Sequence, residues 1–225
     1  PPRSTPKPSS AASDVYKRQD TISDEVLLSA PCYGGLDLAS VRDLTSFVLS
    51  WRIGEKIICK HWTFIPEDKY EGRTGGKDGV NYQQFADYLE ITPGNVTDYN
   101  YVKAKMFELC ERYQVQSIAY DRWNSSQLVI ECIEEGLKMS AFGMGYKSLS
   151  PAAKEIESKV MTGDFIYFND PVVRWQFGNV QLETDPAGNI KPNKAKSSDK
   201  IDTIMAMCMA VGEEMYSEAP VVSKY

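Results

Sequence analysis

Between Cys32 and Phe64, three strand-like segments, the second and third rich in β-branched and aromatic residues, follow one another with connections too short to hold a helix. Cys32–Leu38 (CYGGLDL), Thr45–Arg52 (TSFVLSWR) and Lys56–Phe64 (KIICKHWTF) predict three adjacent antiparallel strands, because a parallel return needs a crossover of about a dozen residues or more. After that the pattern alternates. Asp98–Tyr113 carries Val102, Met106, Leu109 and Tyr113 on one helical face, with Thr97 or Asp98 placed to cap it. Val115–Tyr120 predicts a strand, Ser125–Glu135 a helix, Leu137–Phe142 a strand, and Ser150–Met161 a helix opened by Ser150-Pro151. Phe165–Phe168 and Val180–Glu183 predict short strands, and a very apolar last helix starts near Asp199. A meander followed by alternation predicts an α/β fold, a mixed β-sheet with helices on both faces.

The chain's 225 residues suit one domain. Residues 1–28 predict a disordered tail or linker, 29–218 the folded domain and 219–225 a C-terminal tail. Ser10–Gln19 (SSAASDVYKRQ from Ser9) resembles a translated adapter tail rather than native protein, which puts residues 1–19 in question. Glu67–Val80, with four glycines among charges, predicts a loop. Its Gly76-Lys77 is followed by Asp78, so it is not a phosphate-binding loop. No apolar run approaches the roughly 20 residues that span a bilayer. The five cysteines are scattered, and His61 as the single histidine argues against a zinc site and for a hard ion held by oxygen. A net charge of −6 argues against a surface coated for nucleic acid. Against that, Lys191, Lys194, Lys196 and Lys200 fall within ten residues, as a DNA-contacting run or as a solvated tether.

Three aspartates stand where a carboxylate needs a reason. Asp37 lies within a predicted central strand, Asp121 directly follows the strand VQSIAY, and Asp202 falls in the first turn of the apolar last helix. A shared divalent cation would remove the cost of burying them. Asp121 could equally end its strand, and Asp202 could equally be a first-turn acid favoured by the helix dipole.

The segments GGLDLASVRDLTSF, YLEITPGNVTDYNYV, IAYDRWNSSQL, SLSPAAKEIE, GDFIYFNDPVVRWQFGNV, DPAGNIKPNK and KIDTIMAMCMA, in this order from about Tyr33 to Gly212, resemble phage terminase large subunits of the HK97-like group. The resemblance is to the C-terminal nuclease domain; the packaging ATPase half, with its Walker motifs, has no counterpart here. It implies an RNase H-like fold and a metal-dependent DNA endonuclease that cuts concatemeric double-stranded DNA. By the same resemblance the catalytic, metal-binding acids are Asp37, Asp121 and Asp202, holding two divalent cations, Mg²⁺ or Mn²⁺. Asp43 stands where related nucleases carry an accessory acid, and equally reads as a loop charge. In such two-ion hydrolysis one ion activates water and the second stabilises the departing 3′ oxygen. The lysines Lys191, Lys194, Lys196 and Lys200 would contact phosphates. Many members carry a histidine just before the Asn-Pro segment, where this sequence has Phe168-Asn169-Asp170-Pro171. Expected partners are the ATPase domain, the small terminase subunit and the portal protein, with no membrane, in the host cytoplasm during virion assembly. The alternatives are another RNase H-like nuclease of transposase or resolvase type, or a non-catalytic module that docks on portal or DNA.

Overall fold

In the computed structural model, residues 22–38, 44–72, 79–122 and 127–217 are described. The elements are α1 (Asp24–Ser29), β1 (Pro31–Asp37), β2 (Thr45–Ile53), β3 (Lys56–Pro66), α2 (Glu67–Tyr70), a 3₁₀ segment (Tyr82–Tyr88) and β4 (Leu89–Thr92). Then come α3 (Tyr99–Arg112), β5 (Gln114–Asp121), α4 (Gln127–Glu134), β6 (Met139–Phe142), α5 (Tyr146–Thr162) and β7 (Phe165–Ile166). The chain continues through α6 (Pro171–Asn179), the hairpin β8 (Leu182–Thr184) and β9 (Ile190–Pro192), and α7 (Asp202–Tyr216).

The strand order is β4-β3-β2-β1-β5-β6, with β7 also pairing β3. The meander β1-β2-β3 is antiparallel, and β5 and β6 add in parallel beside β1. Alternation along β2 divides its side chains between two cores. Phe47, Leu49 and Trp51 join Val102, Met106, Leu109, Leu128 and Val129 of α3 and α4 on one face. Val48 joins α5, α6 and α7 on the other. Helix α7 is apolar nearly all round because it is buried between the sheet and other helices, with every residue from Asp202 to Glu213 buried. Its seat depends on Gly35 of β1, where a Cβ would lie 2.0 Å from Ala206 O and 2.7 Å from Ala210 N.

Several sequence expectations change. The tail does not run to residue 28: α1 lies within that stretch because Leu27 is fully buried and Trp51 Nε1 donates to Leu27 O at 3.0 Å. Part of the expected loop after Glu67 is the short helix α2. Ser150-Pro151 does not open its helix, which begins at Tyr146. Proline inside a helix lacks the N–H that would bond four residues back, and Tyr216 Oη donates to Lys147 O at 3.0 Å instead. Ser150 Oγ accepts from Ile190 N at 3.1 Å, tying α5 to the hairpin. The last helix starts at Asp202 rather than Asp199.

Candidate active site

Strands β1 and β5 run parallel with Leu36 opposite Tyr120. The next residue on each, Asp37 and Asp121, is the last of its strand, so both stand at the carboxyl end of the sheet's centre. Open α/β sheets place their sites at that end, where loops rather than further strand pairing follow. Asp202 arrives from the other direction as the first residue of α7. Asp37 therefore closes its strand rather than lying in its interior, and Asp43 falls outside the described residues.

Asp37 and Asp202 meet over one cation. Lys194 Nζ lies 2.6 Å from Asp37 Oδ2 and 2.8 Å from Asp202 Oδ1. The turn carrying Lys194 is held locally, since Asn193 Oδ1 accepts from the backbone of Ala195 and Lys196, and Ser197 Oγ donates to Asn193 O. The two carboxylates are 2% and 3% exposed. Burial pushes the Asp37 carboxyl well above the usual aspartate range; the Lys194 charge opposes this, while Asp202 and Asp121 add to it. For Lys194, burial works against the ammonium, but the charges of Asp37 and Asp202 outweigh it and hold the side chain charged above the ordinary lysine range. Asp202 Oδ2 is buried without a hydrogen-bond donor, and Asp37 Oδ2 has only its ion pair with Lys194.

These observations bear on a metal. Among the described residues no three histidine, cysteine or carboxylate side chains converge closely enough to hold one. Asp37 and Asp202 meet, and Asp121, half-buried beside them, is near enough for its charge to act on Asp37. The donors are all oxygen, which suits a hard cation. Two buried carboxylates against one ammonium leave negative charge uncompensated, and the orphaned Asp202 oxygen lacks a positive partner. A divalent cation fits both needs.

The lysines divide by role. Lys194 is committed to the two aspartates. Lys196 Nζ lies 3.1 Å from Glu183 Oε1 and Lys191 Nζ 3.9 Å from Glu183 Oε2, so Glu183 gathers both onto the hairpin. Lys200 lines a cleft of about 200 Å³ together with Lys194, Ser197, Asp199, Ile201 and Asp202, opening beside the carboxylates. The site's polar support, from Ser46, His61, Thr63, Asp170, Gln176 and Thr203, was not legible in the sequence, because each residue alone is ordinary and only their convergence is unusual.

Residues 22–218 match the family described as terminase large subunit, endonuclease domain. The chain belongs to that family. It is 32% identical over 187 residues to the terminase large subunit of Enterobacteria phage HK97, covering 80% of this chain and 36% of that subunit. The crystal structure of the HK97 large terminase superposes with a TM-score of 0.75 at 30% identity, over 83% of this chain and 40% of that one. The large terminase nuclease of the thermophilic phage G20c, solved with bound magnesium, shares the fold at 14% identity, with a TM-score of 0.54 over 82% of each chain. The RNase H-like expectation therefore holds: this is a terminase nuclease domain, and its class of activity is that of an endonuclease. Among the described residues no helix is long and apolar enough to cross a membrane.

Proposed function

We propose that this domain cuts concatemeric double-stranded viral DNA during packaging, by hydrolysing phosphodiester bonds with two divalent cations, Mg²⁺ or Mn²⁺, at Asp37, Asp121 and Asp202. The observation that carries the reading is the meeting of two buried carboxylates over a single ammonium, with Asp202 Oδ2 left without a donor. The magnesium in the G20c nuclease supports the choice of ion. Asp37, on the central strand between the other two acids, is the candidate to be shared between ions, and Asp121 and Asp202 each complete one set. Bound divalent cations would supply an activated water and stabilise charge on the departing 3′ oxygen. The chain's own groups do the rest. Asp37 and Asp202 bring negative charge together where burial limits its screening, and Asp121 adds its charge from the end of the neighbouring strand. Lys200 lines the cleft, while Lys191 and Lys196 would meet backbone phosphates only by exchanging Glu183 for them, and a site that reads backbone should cut with little sequence preference.

The packaging ATPase domain, small subunit and portal are the proposed partners, acting in the host cytoplasm during virion assembly. A vestigial docking module is the weaker reading, because it would have no use for acids kept buried and close. The deciding experiment is nicking of supercoiled plasmid by the purified chain. Activity should require Mn²⁺ or Mg²⁺, stop with chelator, and fall by at least about a hundredfold in both Asp37→Asn and Asp202→Asn. Undiminished cutting by both folded variants would remove these acids from the site.

A further inference from the structure

A network of buried and half-buried polar side chains runs behind the two aspartates. His61 Nδ1 lies 2.9 Å from Thr63 Oγ1 on β3, and Thr63 Oγ1 lies 2.9 Å from Thr203 Oγ1 on α7. Gln176 of α6 grips Thr203 twice, donating Nε2–H to its hydroxyl at 2.9 Å and accepting its peptide N–H at 2.7 Å. Asp170 opens α6, its Oδ1 accepting from Val172 N and Val173 N at 2.8 and 3.1 Å. Its Oδ2 lies 3.0 Å from His61 Nε2, a charge contact without hydrogen-bond geometry that brings the chain of contacts from β3 through α7 and α6 back to β3. Ser46 braces the centre, 2.7 Å from Thr63 Oγ1 and 2.8 Å from Thr203 Oγ1.

Three features separate this from ordinary core packing. Ser46, Thr63, Gln176 and Thr203 are completely buried, where apolar residues of like volume would hold a core without demanding that every partner be met. Helix α7 has no side-chain cap of its own, because Ile201 stands at its N-cap; Gln176, from another helix, accepts the free N–H of Thr203 in its first turn. The backbone is strained where Asp170 is delivered, with Phe168 and Asn169 both at φ 54°, a conformation that side-chain-bearing residues hold only when their surroundings impose it. The network also touches both acids' neighbours: Thr203 directly follows Asp202, and Ser46 is the cross-strand partner of Asp37.

We propose that His61, Thr63, Asp170, Gln176 and Thr203 are positioning residues that fix the first turn of α7 so that Asp202 and Asp37 face one shared cation. The proposal rests on the reading of those two aspartates as metal ligands.

The test is a Mn²⁺ titration of the full 225-residue chain by calorimetry, with melting curves in chelator alongside. Thr203→Val keeps the volume and removes the hydroxyl that Thr63, Ser46 and Gln176 share; Thr203→Ser restores it. Asp170→Asn keeps the cap on α6, since asparagine caps as well as aspartate, and alters only the contact with His61. We expect Thr203→Val to weaken Mn²⁺ binding about tenfold, Thr203→Ser to stay within roughly threefold of native, and Asp170→Asn to weaken binding at least roughly threefold. In the nicking assay kcat should fall with KM for DNA unchanged. A purely structural role would instead lower the melting temperature in chelator and leave Mn²⁺ affinity alone, which would overturn the proposal. Should Thr203→Val not fold, Asp170→Asn decides by the same criterion. If the native chain does not bind Mn²⁺, or Asp202→Asn binds it as tightly, the ligand reading itself fails and takes the proposal with it.

Discussion

Lys194 places its Nζ 2.8 Å from Asp202 Oδ1, and the same ammonium reaches Asp37 on another element. A lysine of the expected DNA-contacting run pairs here with the two carboxylates. It is a tethered single charge at the point where a divalent cation is proposed to bind. The two cations must share the acids or exchange places.

Lys194→Met therefore has opposite effects with and without metal. In chelator, two buried carboxylates lose their cation, and stability should drop by about 2 kcal/mol, between the values for exposed and buried pairs because the lysine stem is open to solvent. With Mn²⁺, the competing charge is gone and affinity should rise about tenfold, equivalent to 1.4 kcal/mol. Calorimetry measures the second effect, and weaker Mn²⁺ binding in the variant would show that Lys194 helps the site rather than competing for it.

The hairpin lysines should report on DNA differently. Lys191 and Lys196 are both held by Glu183, so phosphate contacts would have to be exchanged for that carboxylate. Replacing both with Ala should flatten the slope of log affinity against log salt by at most about 2 units, since each contact contributes about 0.9. Glu183→Gln frees both lysines and should tighten binding. If neither variant moves affinity or slope, the DNA does not run over this hairpin.

Gly35→Ala tests the packing that brings Asp202 to Asp37. The added Cβ would meet Ala206 O at 2.0 Å and Ala210 N at 2.7 Å, both backbone atoms that no side-chain rotation can move aside. The loss should reach about 3 kcal/mol, a fall of roughly 10 °C in melting temperature for a domain of this size. A native-like melting curve would mean that α7 does not cross β1 this closely.

A pH dependence follows from Glu214, which pairs with Arg52 at 2.8 Å but leaves Oε2 buried without a donor. Burial raises its pKa above the ordinary 4.5, with Arg52 only partly opposing. A folded-state value above the unfolded one means that its contribution is fully present below pH 4.5 and is lost as pH rises through the folded value. Glu214→Gln removes that loss, so the variant should gain stability relative to native between pH 5 and pH 8, by about 1 kcal/mol. Thermal melts at the two pH values in chelator measure it, and a variant that loses ground as pH rises would contradict the sign.

Local physics made much of this domain legible in the sequence. The β-branched and aromatic runs of β2 and β3, directly after the strand of Asp37, declared a meander because their connections leave no room for a crossover. The spacing of Val102, Met106 and Leu109 declared α3, and Asp98 caps it as its position suggests, accepting from Asn100 N. Asp121 at the end of an apolar strand and Asp202 at the start of an apolar helix were visible as carboxylates in costly places. Strand β4 was not visible, being four residues long and defined by parallel pairing to distant β3 rather than by any pattern of its own, whereas β7 lies within the expected Phe165–Phe168 strand and keeps only its first two residues.

Tertiary structure alone decided what those carboxylates face. Sequence periodicity reports which side of an element is apolar, because burial repeats with the helix or strand. It carries no information on which two elements meet or at what depth. The approach of α7 to Gly35, the capture of Lys194 by two aspartates, and the gripping of Thr203 by Gln176 each depend on segments far apart in the chain reaching within a few ångströms. At that range, charge and close packing act too steeply with distance for residue spacing to reveal them.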